Sequence, residues 1–365
     1  MGTYRYLLAA AVVLSHGLVT WNGYNIGAVA VISFFCISGF VMSALIATHY
    51  PTPAKVGHFY LDRLLRIYPQ YLFYFLITAA LYYNGKVVNQ DFLAGVTKYT
   101  AFLNGLIVPL GYPDSFQVYL RNAMFIPQAW SLGLELTFYL IVPALVLFAG
   151  NRLTRGIALA SCLVATMAAF GYITTSTYGY STLPGTLFVF MLGIEIHRKR
   201  DPALRWGLTA FLVVMYAIVL SKPELAALHW SKEVYLGGII ASIMVPWLAG
   251  IKFVKWGTAT TPKEKMSEAA GRFDAAMGFI SYGLFLNHFI FIWLLRTHTP
   301  LGHWETLSQD HLVIVLLAGT GAAWFTYKLI DEPITNLRAW LRKSNWLERR
   351  MGRGGIPEPA EQLPG

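Results

Sequence analysis

GAVAVISFFCISGFVMSALIAT, residues 27–48, carries no charged side chain and reads as a membrane-spanning helix. A spanning helix needs roughly 20 mostly apolar residues, and this stretch supplies them without interruption. Working outward from it, further runs of the same kind lie near 7–22, 68–84, 130–150, 157–174, 184–197, 206–221, 234–251, 276–296 and 311–331. They predict an all-α, polytopic transmembrane bundle of about ten spanning helices. Composition agrees. Hydrophobic residues make up 56% of the 365 and charged residues 13%, half of the ~25% usual in soluble domains. An ordinary soluble enzyme is excluded.

The net charge of +10 is a matter of orientation. Lys and Arg collect in cytoplasmic loops. With both termini inside, the inner segments hold Arg5; Lys55, Arg63 and Arg66; Arg152 and Arg155; the run Arg198 to Arg205; and Lys252 to Arg272. The outer segments hold only Lys86, Lys98, Arg121, Lys222, Lys232 and Arg296. The segment 91–109, with Asp91, Lys98 and Asn104, is ambiguous by itself. If it spanned, every later basic loop would face outward, so 85–129 is read as a large outer segment. No nucleic-acid partner is expected. The N-terminal apolar run lacks a small-residue cleavage site and reads as a retained span. Tyr6 stands where a myristoylation motif wants Ser or Thr. Cys36 and Cys162 both sit in apolar runs, so no disulfide framework is expected.

Three parts follow. Residues 1–333 form the transmembrane domain. Residues 334–350 read as a basic amphipathic helix on the inner leaflet, with Leu337, Trp340 and Leu341 between Arg338, Arg342 and Lys343. Residues 351–365, rich in Gly and Pro, read as a disordered tail.

Ionisable groups at membrane depth are costly, and each is a candidate functional residue. Arg5 and His16 are eleven residues apart, close to three full turns, so they share a helix face with His16 roughly 16 Å deeper. A snorkelling Arg and a packed His fit that spacing equally well. In RLLRIYP (63–69), Arg63 and Arg66 project from one helix face before Pro69, which marks a turn into the third span. Guanidiniums there suit phosphate or simple interfacial anchoring. In SLGLELTFY (131–139), Ser131, Glu135 and Tyr139 recur every four residues as a polar stripe. Glu135 lies at a depth from which it reaches His16, where it would fix the imidazole tautomer. Ser38 and Gly39 suit close helix packing. His288 in SYGLFLNH (281–288) either lines a cavity or bonds a neighbouring helix. Asp331 and Glu332 sit at what reads as the inner end of the last span, where the helix dipole disfavours acids, and are expected to pair with inner arginines.

Taken in order, Arg5 with His16, FFCISGF (34–40), RLLRIYP (63–69), SLGLELTFY (131–139), ISYGLFLNH (280–288) and YKLIDEP (327–333) resemble the motifs of acyltransferase family 3, from the first span to the last. The resemblance implies an O-acetyltransferase of the bacterial inner membrane. Its donor would be cytoplasmic acyl-CoA, most simply acetyl-CoA. Its acceptor would be a hydroxyl of a surface or exported polysaccharide, a lipid-linked precursor, a lipid or a macrolide. Arg5, Arg63 and Arg66 would engage the coenzyme A phosphates. His16 and Glu135 would work at the transfer point, with Ser38, Ser131, Tyr139 and His288 lining the site. Neither a metal nor a permanently bound cofactor is implied; membrane lipids and a polysaccharide export machinery are the further partners. Many relatives carry an added hydrolase-like domain, and its absence here would leave every step to the membrane part. Asp331 stands where the family usually has a hydrophobic residue. Two routes stay open: His16 takes the acceptor's proton, or it carries the acyl group covalently. A transporter or flippase for a lipid-linked glycan is the rival class, since intramembrane Arg, His and Glu suit it too.

Overall fold

The computed structural model describes residues 1–17, 19–87, 90–113, 120–298 and 309–343. Its helices are α1 (Gly2–His16), α2 (Ile26–His49), α3 (Val56–Tyr83), the short α4 (Gln90–Leu93) and α5 (Lys98–Leu106), α6 (Ala129–Leu147) and α7 (Asn151–Ala169). They continue with α8 (Leu183–Arg198), α9 (Pro202–Ser221), the short α10 (Pro223–Ala226), α11 (Ser231–Gly250), α12 (Pro262–His298), α13 (Gln309–Thr326) and α14 (Glu332–Lys343). Among the described residues, 9 helices are long and apolar enough to cross a membrane. With α1, of 15 residues, they make the polytopic bundle that hydropathy predicts.

The decisive stretch lies at the centre. Helix α2 is apolar all round and packs against α1, α6, α8 and α11. Its crossing with α8 is set by two glycines. A Cβ on Gly39 would lie 1.9 Å from the Phe190 carbonyl oxygen, and one on Gly193 would lie 2.0 Å from that of Cys36. Lipid tails give helices no hydrophobic reason to associate, so close backbone approach through small residues supplies the contact. Gly39 therefore does the packing, while its neighbour Ser38 points elsewhere.

Four expected boundaries are corrected. The first apolar run does not continue to 22. Helix α1 ends at His16, and Asn22 (φ 49°) and Gly23 (φ 76°) turn a two-stranded hairpin that pairs Trp21 with Tyr24. Asn-Gly is the dipeptide that best tolerates two successive positive φ angles. RLLRIYP is helical: Pro69 lies inside α3 rather than at a turn before it. Membrane helices tolerate proline where neighbours re-satisfy the freed backbone groups. Helix α12 begins at Pro262, well before 276. This extension brings Asp274 to the start of α1, where its carboxylate accepts from the amino group of Met1 at 3.0 Å and from the backbone of Gly2 and Thr3 at 2.9 Å each. The first N–H groups of a helix have no partner of their own, and here another helix caps them.

The last boundary concerns 327–333. The helix does not end at Asp331. A π-helical turn over Tyr327–Asp331 carries it into α14, so the two acids meet no exposed helix C-terminus. Nor is α14 only a surface helix. Its Arg338 is buried and bonded to Asp62 of α3. The remainder of the predicted amphipathic helix, 344–350, and the predicted disordered tail, 351–365, lie outside the described residues.

The segment after α3 does not cross the bundle. Helix α5 has nine residues, opens on a Thr97–Thr100 capping box, and is anchored by buried Asn104. The Asn104 amide donates to the carbonyls of Thr100 and Ala123 and accepts from the Phe125 backbone, while Tyr71 of α3 donates to the Asn104 carbonyl. Of the polar residues that make 91–109 ambiguous, Asn104 thus anchors a folded cap at the end of the bundle opposite the start of α1. Of the aromatic residues in this stretch, Tyr99 is exposed, and Phe116 and Tyr119 lie outside the described residues.

Candidate active site

A cavity of about 280 Å³ opens at the end of the bundle that carries both α14 and the start of α1. Five guanidiniums line its mouth: Arg5, Arg63, Arg66, Arg338 and Arg342. Its wall also includes the polar Ser38, Ser131, Glu135, Tyr139, Ser281 and Tyr282 and the apolar Phe34, Phe35 and Phe285. Arg5, Arg63, Arg66, Glu135, Ser38, Ser131 and Tyr139, picked out from sequence, are therefore brought to one cavity by α1, α2, α3 and α6.

The charges are unequally paired. Asp62, only 1% exposed, bonds to three arginines. Arg63 beside it donates through Nε at 3.1 Å and through its terminal nitrogen. Arg338 donates at 3.0 and 3.3 Å, and Arg342 at 3.2 and 3.4 Å. Arg66 reaches Asp331 at 3.5 Å and lies 5.1 Å from the Tyr282 ring centroid, over its face. This is the expected pairing of Asp331 with an inner arginine; Glu332 instead bonds Lys328. Glu135 accepts from Ser38 at 2.7 Å and from Tyr139 at 2.5 Å on the same oxygen. Arg5 lies within its electrostatic reach, and the Arg5 Nε is buried without a hydrogen-bond partner. Five cations thus face three carboxylates, and the mouth suits an anion.

His16 is not in this cavity wall, nor is His288. The pairing expected between His16 and Glu135 is replaced by another. His16 Nδ1 lies 3.0 Å from His288 Nε2, with the rings stacked at 5.1 Å and Phe289 packed against both. Glu135 is occupied by the hydroxyls of Tyr139, about one turn away on α6, and of Ser38 on α2. Hydropathy sets depth along a helix but not azimuth. The face of α1 that carries His16 turns toward α12.

The hydrogen bonds fix the tautomers. His288 Nδ1 lies 3.2 Å from the Leu284 carbonyl oxygen, which only accepts. Nδ1 therefore carries the proton, and His288 Nε2 accepts. His16 Nδ1 must then donate, which leaves the lone pair of neutral His16 on Nε2. An imidazole held this way can take a proton or attack a carbonyl. The histidine pair lies one side chain beyond the cavity: Phe285 lines the cavity and its ring is 6.4 Å from that of His288. Phe34 meets Phe285 edge-on at 6.4 Å.

Sequence reasoning missed Asp62, Arg338 and Arg342. An acid alone in a basic helical stretch, LDRLLR, was the available signal. Asn287, next to His288, serves packing, where its amide donates to the Tyr74 hydroxyl and the Gly319 carbonyl. Gln128, just before α6, ties that helix to α12 through the carbonyls of Phe285 and Leu286 at 2.7 and 2.8 Å.

Comparison with known proteins gives two kinds of match. The family model described as an acyltransferase domain matches residues 4–328. An uncharacterized protein of Aquifex aeolicus (strain VF5) is 24% identical over 225 residues, covering 58% of this chain and 89% of that protein. Nodulation protein 10 of Rhizobium leguminosarum bv. viciae is 24% identical over 374 aligned residues, covering 92% and 93%. No solved structure matches.

Proposed function

Because the chain belongs to the acyltransferase family whose domain spans residues 4–328, we propose that it transfers acetyl from cytoplasmic acetyl-CoA to a saccharide hydroxyl presented from the other side of the membrane. The acceptor would be a surface or exported polysaccharide or its lipid-linked precursor. The observation that carries the reading is the succession of an arginine-rich mouth, the cavity behind it and, beyond its Phe285 wall, the His288–His16 pair that leaves the Nε2 lone pair of His16 available.

In this reading the mouth faces the cytoplasm. Arg5, Arg63 and Arg66 bind the phosphates of the donor, because planar guanidiniums match phosphate oxygens bidentately. The pantetheine arm runs along the wall of Ser38, Ser131, Glu135 and Tyr139 toward Phe285. His16 Nε2 accepts the proton of the acceptor hydroxyl as its oxygen attacks the thioester carbonyl. The tetrahedral intermediate collapses with cleavage of the C–S bond. The leaving thiolate takes the proton back from His16, so that the ester and coenzyme A are formed and the imidazole is neutral again. His288 positions His16 by accepting from Nδ1, the part played by the carboxylate in a Ser-His-Asp triad. Glu135 does not touch His16; it holds Tyr139 and Ser38 in the wall and balances Arg5.

The test is thiol release from acetyl-CoA by the purified, lipid-embedded protein, with and without saccharide acceptor. Acceptor-dependent release that disappears in His16→Ala is expected. Glycan transport without thiol release would overturn the reading in favour of a carrier. A stable acyl group on His16, trapped without acceptor, would replace proton abstraction by covalent catalysis.

A further inference from the structure

Resting on the donor reading above, we propose that Arg338 and Arg342 of α14, with Arg63 of α3, form a subsite for a phosphomonoester dianion, the 3′-phosphate of coenzyme A, and make the protein prefer that donor over its dephospho form.

The argument starts from an imbalance. Among the described residues, Asp62 is the one carboxylate bonded to Arg63, Arg338 and Arg342. One negative charge against three positive leaves an excess of two, at a place where Arg63 and Arg338 are buried and Arg342 is half-buried. Withdrawing charge from water without full compensation is expensive, and a pair built for stability alone would match charges one to one. A phosphomonoester carries about −1.5 to −2 at neutral pH and closes the balance. Each phosphate of a diphosphate bridge carries a single charge and does not.

Asp62 does not use all the donors, even with Tyr50 beside Arg342. Arg338 and Arg342 each give Asp62 only Nε and one terminal nitrogen. The other N–H groups of each five-donor fork are free of Asp62, and both residues line the cavity mouth. Asp62 then acts as a fixed pivot. It orients three forks around one point, as a carboxylate shared between arginines would in a built phosphate site.

The order of groups along coenzyme A fits the order of arginines. Arg66 lies one turn beyond Arg63 on α3, about 4.5 Å further into the bundle, and is separately paired with Asp331. Arg5, with its unpartnered Nε, lines the same cavity as Arg66 and Glu135. The 3′-phosphate would sit at the Asp62 cluster on the rim, the diphosphate at Arg66 and Arg5, and the thioester arm beyond. Two distant sequence segments, 62–66 and 338–342, would thus clasp one donor.

The experiment compares acetyl-CoA with acetyl-dephospho-CoA, using full-length protein in phosphatidylcholine nanodiscs. Wild-type kcat/KM should favour acetyl-CoA by about ten- to hundred-fold, as charge-assisted hydrogen bonds imply. In the double variant Arg338→Gln, Arg342→Gln the ratio should fall to near one. If the double variant does not fold, Arg342→Gln alone must narrow the ratio. Equal use of the two donors by wild type, or undiminished preference in a folded variant, overturns the proposal. So does preference restored or abolished by adding phosphatidic acid, which would assign the subsite to a lipid phosphomonoester. If wild-type protein releases thiol from neither donor, the acyl-transfer reading fails, and calorimetric binding decides this one: coenzyme A must still bind at least ten-fold tighter than dephospho-CoA.

Discussion

The two polar regions of the bundle solve the problem of burial in opposite ways. At the mouth, charge is kept and shared: five guanidiniums gather on three carboxylates around open volume. At the histidine pair, charge is avoided: two imidazoles satisfy each other and a backbone carbonyl, and are sealed by Phe289 and, beyond it, Phe92. A region of fixed charge can hold an anion but cannot easily exchange a proton. A neutral imidazole chain can exchange a proton but cannot hold a phosphate. In the function proposed above, binding and chemistry would therefore be separated along α1, with Arg5 near one end and His16 at the other.

The separation makes its largest prediction at His16. Replacing it with Ala should lower kcat by about 10²- to 10⁴-fold, the usual contribution of a positioned acid–base group, with little change in donor KM. Thiol-release kinetics measures both. A raised KM with kcat intact would place His16 in the binding region and erase the distinction.

His288 should follow. His288→Phe removes the acceptor for His16 Nδ1–H, and kcat should fall by about ten- to hundred-fold, with the pH dependence of kcat displaced. His288→Gln, whose side-chain oxygen can accept the same bond, should recover part of the rate. A merely structural histidine would lower the amount of folded protein without moving the pH profile.

Arg66→Gln probes the other region. The loss of a guanidinium that stacks on Tyr282 and reaches Asp331 should raise donor KM about ten-fold, with kcat at saturating donor kept within a few-fold. Equal losses in kcat and kcat/KM would mean that the mouth acts in the transition state.

The two regions were unequally legible in the sequence. Hydropathy and the distribution of Lys and Arg suffice for the helical bundle, because lipid allows a chain few ways to satisfy its backbone. The members of the mouth were legible for a related reason: Arg5, Arg63, Arg66 and Glu135 are ionisable groups in apolar surroundings, and such groups are rare. Their partners were not. Asp62 looks like a neighbour of Arg63 until α14 is seen to return two more arginines to it, from 276 and 280 residues away. The pairing of His16 with His288, 272 residues apart, depends on which face of α1 meets α12, and helical periodicity within one segment says nothing about that. Boundaries were misread where a local rule was overridden. Pro69 reads locally as a helix start although α3 runs through it, and Asn22-Gly23, a strong hairpin signal, lies at the end of an apolar run that masks it.

Glu135→Gln is the smallest expected effect and the sharpest test of the comparison. As the partner of His16, Glu135 would set the tautomer, and its loss would shift the pH dependence of kcat much as His288→Phe does. In the observed geometry it sits with the mouth, accepting from Ser38 and Tyr139 within reach of Arg5. Glutamine keeps an oxygen for those two hydroxyls and removes one negative charge, enlarging the local positive excess. Donor KM should therefore fall or hold, kcat should change by less than about ten-fold, and the pH profile of kcat should stay in place. A displaced profile would show that Glu135 and His16 meet during turnover, and that binding and chemistry join along α1 when the donor is present.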